Sequence, residues 1–459
     1  MSSLSVAESY FLENQHAILD EWYKLLKLPT LGADPAYLGE CARAAAILRK
    51  FLKSLHFTVD IVTPASGLPV PVLIAERAAT GAATTVLFYG HYDVQPSDPA
   101  SAWKTPPFEP TLIDGRVYAR GAQDNKGQMI AFLQGIKALI DSGRPMPNIR
   151  IVLEGQEESG SAGLIEMAPG LAKKLQADVL LVCDTGCAAD GRPAIIAALR
   201  GIQNLTVTLQ GPAYDLHSGV HGGVAPNPAQ GMARMLATLH HDDGSIAVEG
   251  FSTGIIMPSS TEAELARSSQ QSAAEYREEI GCLPLGGERA LDPAIRAGFH
   301  PTIEVNGIFS GHCGPGPKTV IPSIATAKIS MRLVPEQKPA ATLSALMDHL
   351  RRHCPEGFEI SFSEIIEGAP GFRLPVSSPI FRLAEDVLKE MDDRGPVFKW
   401  EGASIPVVAT LQKVSGAAPL LVGFGREEDK IHCPNESFGL DQFGQVMEWS
   451  TLILEALAF

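Results

Sequence analysis

Six acidic and imidazole side chains, with Asp93 beside them, stand at loop positions after apolar runs that read as strands. His91 follows TTVLFYG (84–90), with Asp93 two residues on, and Asp124 lies in ARGAQDNKG (119–127). The adjacent Glu157 and Glu158 follow RIVLEG (150–155), Asp184 closes ADVLLVCD (177–184), and His432 in IHCPNE follows the apolar segment PLLVGFG. Open α/β sheets put their ligands at such strand ends. Nitrogen and oxygen donors of these types suit borderline and hard divalent cations, and the set is large enough for two ions sharing one carboxylate. Ions held roughly 3.5–4 Å apart activate a bridging water and polarise a carbonyl. The spacing of His91 and Asp93 puts the carboxylate on the same side as the imidazole, where it can fix the tautomer of a ligating histidine. Of two adjacent glutamates, one can bind a cation while the other faces a water as general base. Each signal also has a plainer reading. His91 and Asp93 can be a solvated strand-end pair, Asp124 or Asn125 a helix N-cap, and Glu157–Glu158 the acidic first turn of the next helix. One shared explanation replaces all three.

The elements that must position these groups follow from periodicity. Residues 8–27 and 36–56 are amphipathic helical patterns, followed by apolar runs at 70–76 and 84–90. Runs at 150–155 and 177–184 alternate with helical patterns at 127–141 and 161–174, the rhythm of an α/β sheet with helices on its faces. Asp114-Gly115, between TLI and RVYA, reads as a hairpin turn. After about residue 200 the texture changes. NLTVTLQG, a long helical and polar stretch (226–292), TIEVNGIFSG, TAKISMRLVP, a helix near 340–353 and FEISFSEI make a separate α+β unit, with GAPGFRLP (368–375) as the return linker. A helix at 377–392, apolar segments and a closing helix from about 440 then complete the first sheet. The expected domains are 1–200 and 370–459, forming a catalytic unit with a mixed sheet flanked by helices, and an inserted α+β domain, 201–369.

The chain has 459 residues, long enough for two or three domains at roughly 150 each, and 45% hydrophobic with 19% charged residues is globular composition. With 37 basic and 52 acidic side chains the net charge is −15, which repels phosphate backbones and anionic lipid, and no basic patch overrides it. Arg351, Arg352 and His353 end a helical pattern, where cations complement the dipole. Neither nucleic acid nor membrane is therefore an expected partner. The opening residues MSSLSVAESYFLENQ lack the pattern of a secretory leader, and seven scattered cysteines without a CxxC pair suit reduced thiols, so a cytoplasmic location is expected.

GHYDVQP, ARGAQDNKG, EGQEESGS, LHSGVHGG (216–223), MRLVP (331–335), GASIPV (402–407) and IHCPNE together resemble the M20 metallopeptidase family, in order and spacing across nearly the whole chain. The likeness is nearest to its dipeptidase branch of cytosolic non-specific and carnosinase-like enzymes. It implies a zinc-peptidase-like catalytic domain with an inserted lid and dimerisation domain. It implies that His91 and Asp184 bind one ion, Glu158 and His432 the other, and that Asp124 bridges them, with a cis peptide at Asp124-Asn125. Zinc is the implied ion, and carboxylate-rich ligation also accepts manganese or cobalt. By the same resemblance Glu157 is the general base, Asp93 orients His91, and His217 reaches the active site of the other subunit of a homodimer to stabilise the oxyanion. Arg332 would hold the terminal carboxylate of a dipeptide or short peptide, with Thr319 and Ser404 as further polar contacts. His221 fits a dimer surface equally well. Asn125 where many relatives have Asp, Ala119 and Ala403 where many have Gly, and Cys433 where Ser is usual are departures from the family pattern.

The expected function is metal-dependent hydrolysis of dipeptides or short peptides, by a metal-bridging water that Glu157 activates. N-acyl-amino-acid hydrolysis or carboxypeptidase action is the alternative within the family, and a non-catalytic metal-stabilised binding protein the alternative outside it. The binding protein would not need Glu157 beside Glu158. A phosphate-binding loop at Gly311–Thr319 fails, because Pro317 separates Gly316 from Lys318 and two prolines remove backbone donors.

Overall fold

Strands that read as unbroken apolar runs are buried on both faces, and here they form the middle of a mixed sheet. A computed structural model describes residues 4–402 and 404–458, and of 366 and 367 the backbone alone. Ala403 lies outside the described residues. The chain divides into one unit of residues 1–197, 374–399 and 407–459, and a second of residues 198–373 and 400–406.

In the first unit the strand order is Thr58–Val62, Val72–Arg77, Asn148–Glu154, Thr85–His91, Val179–Val182, Ala418–Gly423 and Ala194–Leu199. The four strands from Asn148–Glu154 to Ala418–Gly423 run parallel, and the flanking strands pair antiparallel. Register sets His91 beside Glu154 and Tyr89 beside Val182, so the chain leaves these strands along one edge of the sheet. Val86, Leu87, Phe88 and Tyr89 are wholly buried. The helix Lys126–Ser142 is apolar nearly all round and correspondingly buried, packed between the helices Val6–Leu26 and Leu440–Ala456. Asp114 and Gly115, at φ 48° and 77°, turn the hairpin Thr111–Ile113/Arg116–Tyr118, as a two-residue loop with both central residues left-handed should. Ser437–Gly439 adds a third strand to that hairpin, which brings the segment after His432 against the loop that leads to Asp124.

The second unit is an antiparallel sheet in the order Thr302–Ser310, Ile324–Leu333, Gly201–Gln210, Glu359–Ala369. Side chains of Ile324–Leu333 alternate between buried and more open, and the helices Pro228–Leu236 and Pro339–Arg352 pack against the sheet. Val207, Met232, Met235, Met331, Leu346 and Leu350 are at the centre of that core. Two details differ from the sequence reading. The stretch 226–292 is not one long helical region but holds Pro228–Leu236, Ser260–Ser268 and Ala273–Ile280 between turns; Ser259 and Ser272 begin the latter two as capping boxes, and Gly281 in the left-handed region ends the last. Within the linker 368–375, Phe372 is buried and pairs with Leu199, and Arg373 pairs with Ala198, as a two-residue strand. Among the described residues no helix is long and apolar enough to cross a membrane.

Candidate active site

His91 is the last residue of its strand and has no exposed surface. Its Nε2 faces Asp124 Oδ1 at 3.2 Å and Asp184 Oδ2 at 3.5 Å, without a well-aligned hydrogen bond to either. Nδ1 faces Asp93 Oδ1 at 3.2 Å, an ion-pair distance that is also off the hydrogen-bonding direction. Asp93 has a second task. Its Oδ1 accepts the Glu157 backbone N–H at 3.2 Å and its Oδ2 that of Glu158 at 3.0 Å, so one buried carboxylate orders both the histidine and the glutamate turn.

Glu157 and Glu158 sit in a short 3-10 turn, Glu157–Ser159, separate from the helix Ala162–Leu175. They are therefore not that helix's first turn. Glu158 Oε2 lies 3.3 Å from His432 Nε2 and accepts a hydrogen bond from Gln95 Nε2 at 2.9 Å. The Glu157 carboxylate comes to 4.0 Å from His91 Nε2. His432, half exposed and at φ 60°, has its Nε2 3.0 Å from Asp124 Oδ2. Asp124 thus meets one histidine with each oxygen. The Asp124-Asn125 peptide is cis. Asn125 occupies the N-cap position of the helix Lys126–Ser142 but makes no capping bond. Its Nδ2 instead donates to Asp184 Oδ1 at 2.8 Å and to the Cys183 carbonyl at 2.7 Å, a donation that an ionised Asp at this position could not make.

Electrostatics set the problem these residues pose. Burial, reinforced by Asp184, Asp124 and Asp93, pushes Glu157 up to about 9 in spite of His91. Burial likewise lifts Asp184 to about 6. Asp124 goes the other way: its burial is overcome by the hydrogen bond from His432 and by the nearby charges of His91 and His432. Hydrogen bonds to Asp124 and Glu158 raise His432 to about 10, and neighbouring carboxylates, Asp184 foremost, raise His91 against its own burial. A group of buried carboxylates that the protein alone must partly protonate is a place where cations belong. The donors fit that role: His91, Asp124 and Asp184 form one triad with ligating atoms within 4.8 Å of one another, and Asp124, Glu158 and His432 form a second. Each triad offers one nitrogen and carboxylate oxygens, and Asp124 belongs to both.

The remaining expected residues lie in the second unit, in two groups. His217 pairs with Val320 in a short ladder, Ser218 N–H donates to the Thr319 carbonyl at 3.1 Å, and both His217 and Thr319 are exposed. His217 Nδ1 accepts the Gly219 N–H at 3.0 Å, which leaves Nε2 for another partner. Elsewhere Arg332 Nη1 donates to Ser404 Oγ at 2.8 Å, and Ser404 Oγ donates to the Arg200 carbonyl at 2.5 Å. His221 is exposed four residues beyond His217. Cys433 is a free, exposed thiol beside His432, and Ala119 is buried.

Gln95, Arg120 and Glu436 were not among the residues singled out from the sequence. All three stand within quoted motifs, so the signal was polar residues beside the donors, but their partners lie up to several hundred positions away.

Residues 87–456 match the model of peptidase family M20/M25/M40. Cys-Gly metallodipeptidase DUG1 of Saccharomyces cerevisiae is 30% identical over 445 residues, covering 92% of this chain and 91% of that protein. Beta-Ala-His dipeptidase of Homo sapiens is 27% identical over 434 residues, 91% of this chain and 85% of its own. The solved M20 family metallo-carboxypeptidase Sso-CP2 of Sulfolobus solfataricus has a TM-score of 0.84 at 28% identity, covering 96% of this chain and 99% of that one.

Proposed function

The chain belongs to peptidase family M20/M25/M40, and from that membership we propose that it is a metal-dependent dipeptidase with Glu157 as its general base. The observation that carries the reading is the pair of donor triads meeting at Asp124, with the Glu157 carboxylate beside them. His91 and Asp184 would hold one divalent ion, Glu158 and His432 the other, and Asp124 both; zinc suits the donor set, with manganese or cobalt accepted. When bound, the ions supply Lewis acidity, lowering the pKa of water and polarising the scissile carbonyl.

The side chains then have distinct tasks. Glu157 takes the proton of the attacking water and returns it to the leaving amine, from a carboxylate that stands 4.0 Å from His91 Nε2 and outside both donor triads. Asp93 holds the His91 ring and, through the two backbone N–H groups, the orientation of the glutamates. Asn125 and Gln95 fix Asp184 and Glu158 by amide donation. Arg332, backed by Ser404, grips a substrate carboxylate as a planar donor, Thr319 adds a polar contact, and His217 donates to the developing oxyanion. His217 does so across a homodimer formed through the inserted domain, 201–369, which also serves as lid. The exposed apolar side chains Tyr214, Val220 and Val224 around His217 favour a docked partner there. A net charge of −15 and the lack of a spanning helix among the described residues are compatible with work in the cytoplasm.

Incubating the purified protein with dipeptides, longer peptides and N-acyl amino acids, with and without chelator, tests the reading. Dipeptides should be cleaved fastest, chelation should abolish cleavage and a divalent ion restore it. Preference for longer peptides or acyl amino acids would reassign it to carboxypeptidase or amidohydrolase. Failure of the metal-loaded protein to cleave anything would leave a binding protein.

A further inference from the structure

A buried ion pair next to the donor cluster ties three distant segments together. Glu436 is wholly buried and Arg120 nearly so. Four donors converge on the Glu436 carboxylate: Arg120 Nη1 at 2.7 Å and Gly121 N–H at 2.9 Å on Oε2, and the Gln123 and Asp124 N–H groups at 3.0 and 3.1 Å on Oε1. Its own carbonyl accepts Ala119 N–H at 3.1 Å. Arg120 Nη2 donates to the Pro96 carbonyl at 3.1 Å, in the segment that follows His91 and Asp93, and the guanidinium stands 5.3 Å over the Trp103 ring. Asn435 fastens the same stretch on its other side, its Oδ1 accepting Lys104 N–H at 2.7 Å and its Nδ2 donating to the Ala102 carbonyl at 3.1 Å.

We propose that Glu436 is a positioning residue for the metal centre: by gathering the backbone of 121–124 onto a side chain four residues beyond His432, it sets Asp124 and His432 relative to each other. The inference rests on the two-metal reading above. Asp124 and His432 meet directly at 3.0 Å, and the pairing of Ser437–Gly439 with Arg116–Tyr118 brings their segments together; the Glu436 carboxylate adds four bonds that span the two loops between these contacts. Its four donors, one charged and three backbone, require two acceptor oxygens. A glutamine would turn an NH2 group toward one of the donor pairs, and an aspartate, one methylene shorter, would not reach both. Groups that orient ligands typically alter metal affinity or activity by about 10–100-fold when removed.

The test uses the full chain, stripped of metal and titrated with zinc against a chromophoric chelator, with kcat, KM and thermal melting measured alongside. Glu436→Gln, folded by circular dichroism, should bind zinc at least about tenfold more weakly than wild type and lose kcat with KM little changed. Wild-type zinc affinity in Glu436→Gln, with only the melting temperature lowered, would make the pair purely structural and overturn the proposal. Should Glu436→Gln not fold, Glu436→Asp takes its place under the same criterion, and failure of both to fold also overturns it. A wild-type protein that binds no zinc would instead sink the functional reading itself, so the two failures are distinct.

Discussion

Glu157 is the residue on which turnover should depend while metal content does not. Its neighbour Glu158 meets His432 and belongs to a donor triad, and Glu157 stands 4.0 Å from His91 outside either triad. Glu157→Gln should retain wild-type metal stoichiometry by elemental analysis and lose about 10²–10⁴ in kcat on the best dipeptide, the range for a missing general base. Turnover near wild type would remove Glu157 from that role. The residue types with most chemistry in them were the legible ones, because carboxylates and imidazoles at strand ends are rare enough to stand out. Their partners were not. Asn125 looked like a helix cap or a missing charge, yet its amide serves Asp184, and only the fold brings Cys183 and Asp184 to it. Gln95 and Glu436 make contacts across 63 and more than 300 positions, beyond any reading of local spacing.

At the scale of elements, the site depends on how closely a loop can approach the helix that follows it. Gly127, in the first turn of Lys126–Ser142, has no room for a side chain: a Cβ there would stand 1.9 Å from the Ala122 carbonyl oxygen and 2.9 Å from the Phe438 ring. The loop holding Asp124 folds back over that bare backbone. Gly127→Ala should therefore destabilise the protein by roughly 2 kcal/mol, as overpacking of a tight site does, and weaken metal binding by displacing Asp124. A melt and a zinc titration indistinguishable from wild type would show that the loop yields freely. Strand and helix identities were readable from length and flanking turns, because the parallel strands are short unbroken apolar runs and Lys126–Ser142 is a longer, largely apolar stretch. The short pieces were not, because Phe372–Arg373 is a strand only by virtue of Ala198 and Leu199 opposite it. The stretch 226–292 was polar enough to look uniformly helical until its caps and glycines divided it.

For the whole molecule, the proposed sharing of His217 between subunits makes a prediction no single chain can satisfy. Mixtures of inactive His217→Ala and inactive Glu157→Gln protein should regain up to about a quarter of wild-type activity, since random exchange puts half the molecules in mixed dimers with one intact site of two. No recovery, under conditions where subunits exchange, would argue that each chain works alone. Composition was informative here mainly as expectation: a net charge of −15 makes nucleic acid and acidic lipid unexpected partners, but it says nothing about which chain supplies which side chain. The order of strands carries one further consequence. Ala418–Gly423 lies between Val179–Val182 and Ala194–Leu199, in the interior of the sheet rather than at its border. A nascent chain on the ribosome therefore has a gap through its scaffold until that late stretch emerges, and cannot act on peptides around it. A nonsense codon anywhere upstream of 418 removes a central plank along with His432, and its product should meet proteolysis as an unfolded chain rather than persist as a folded, inert competitor.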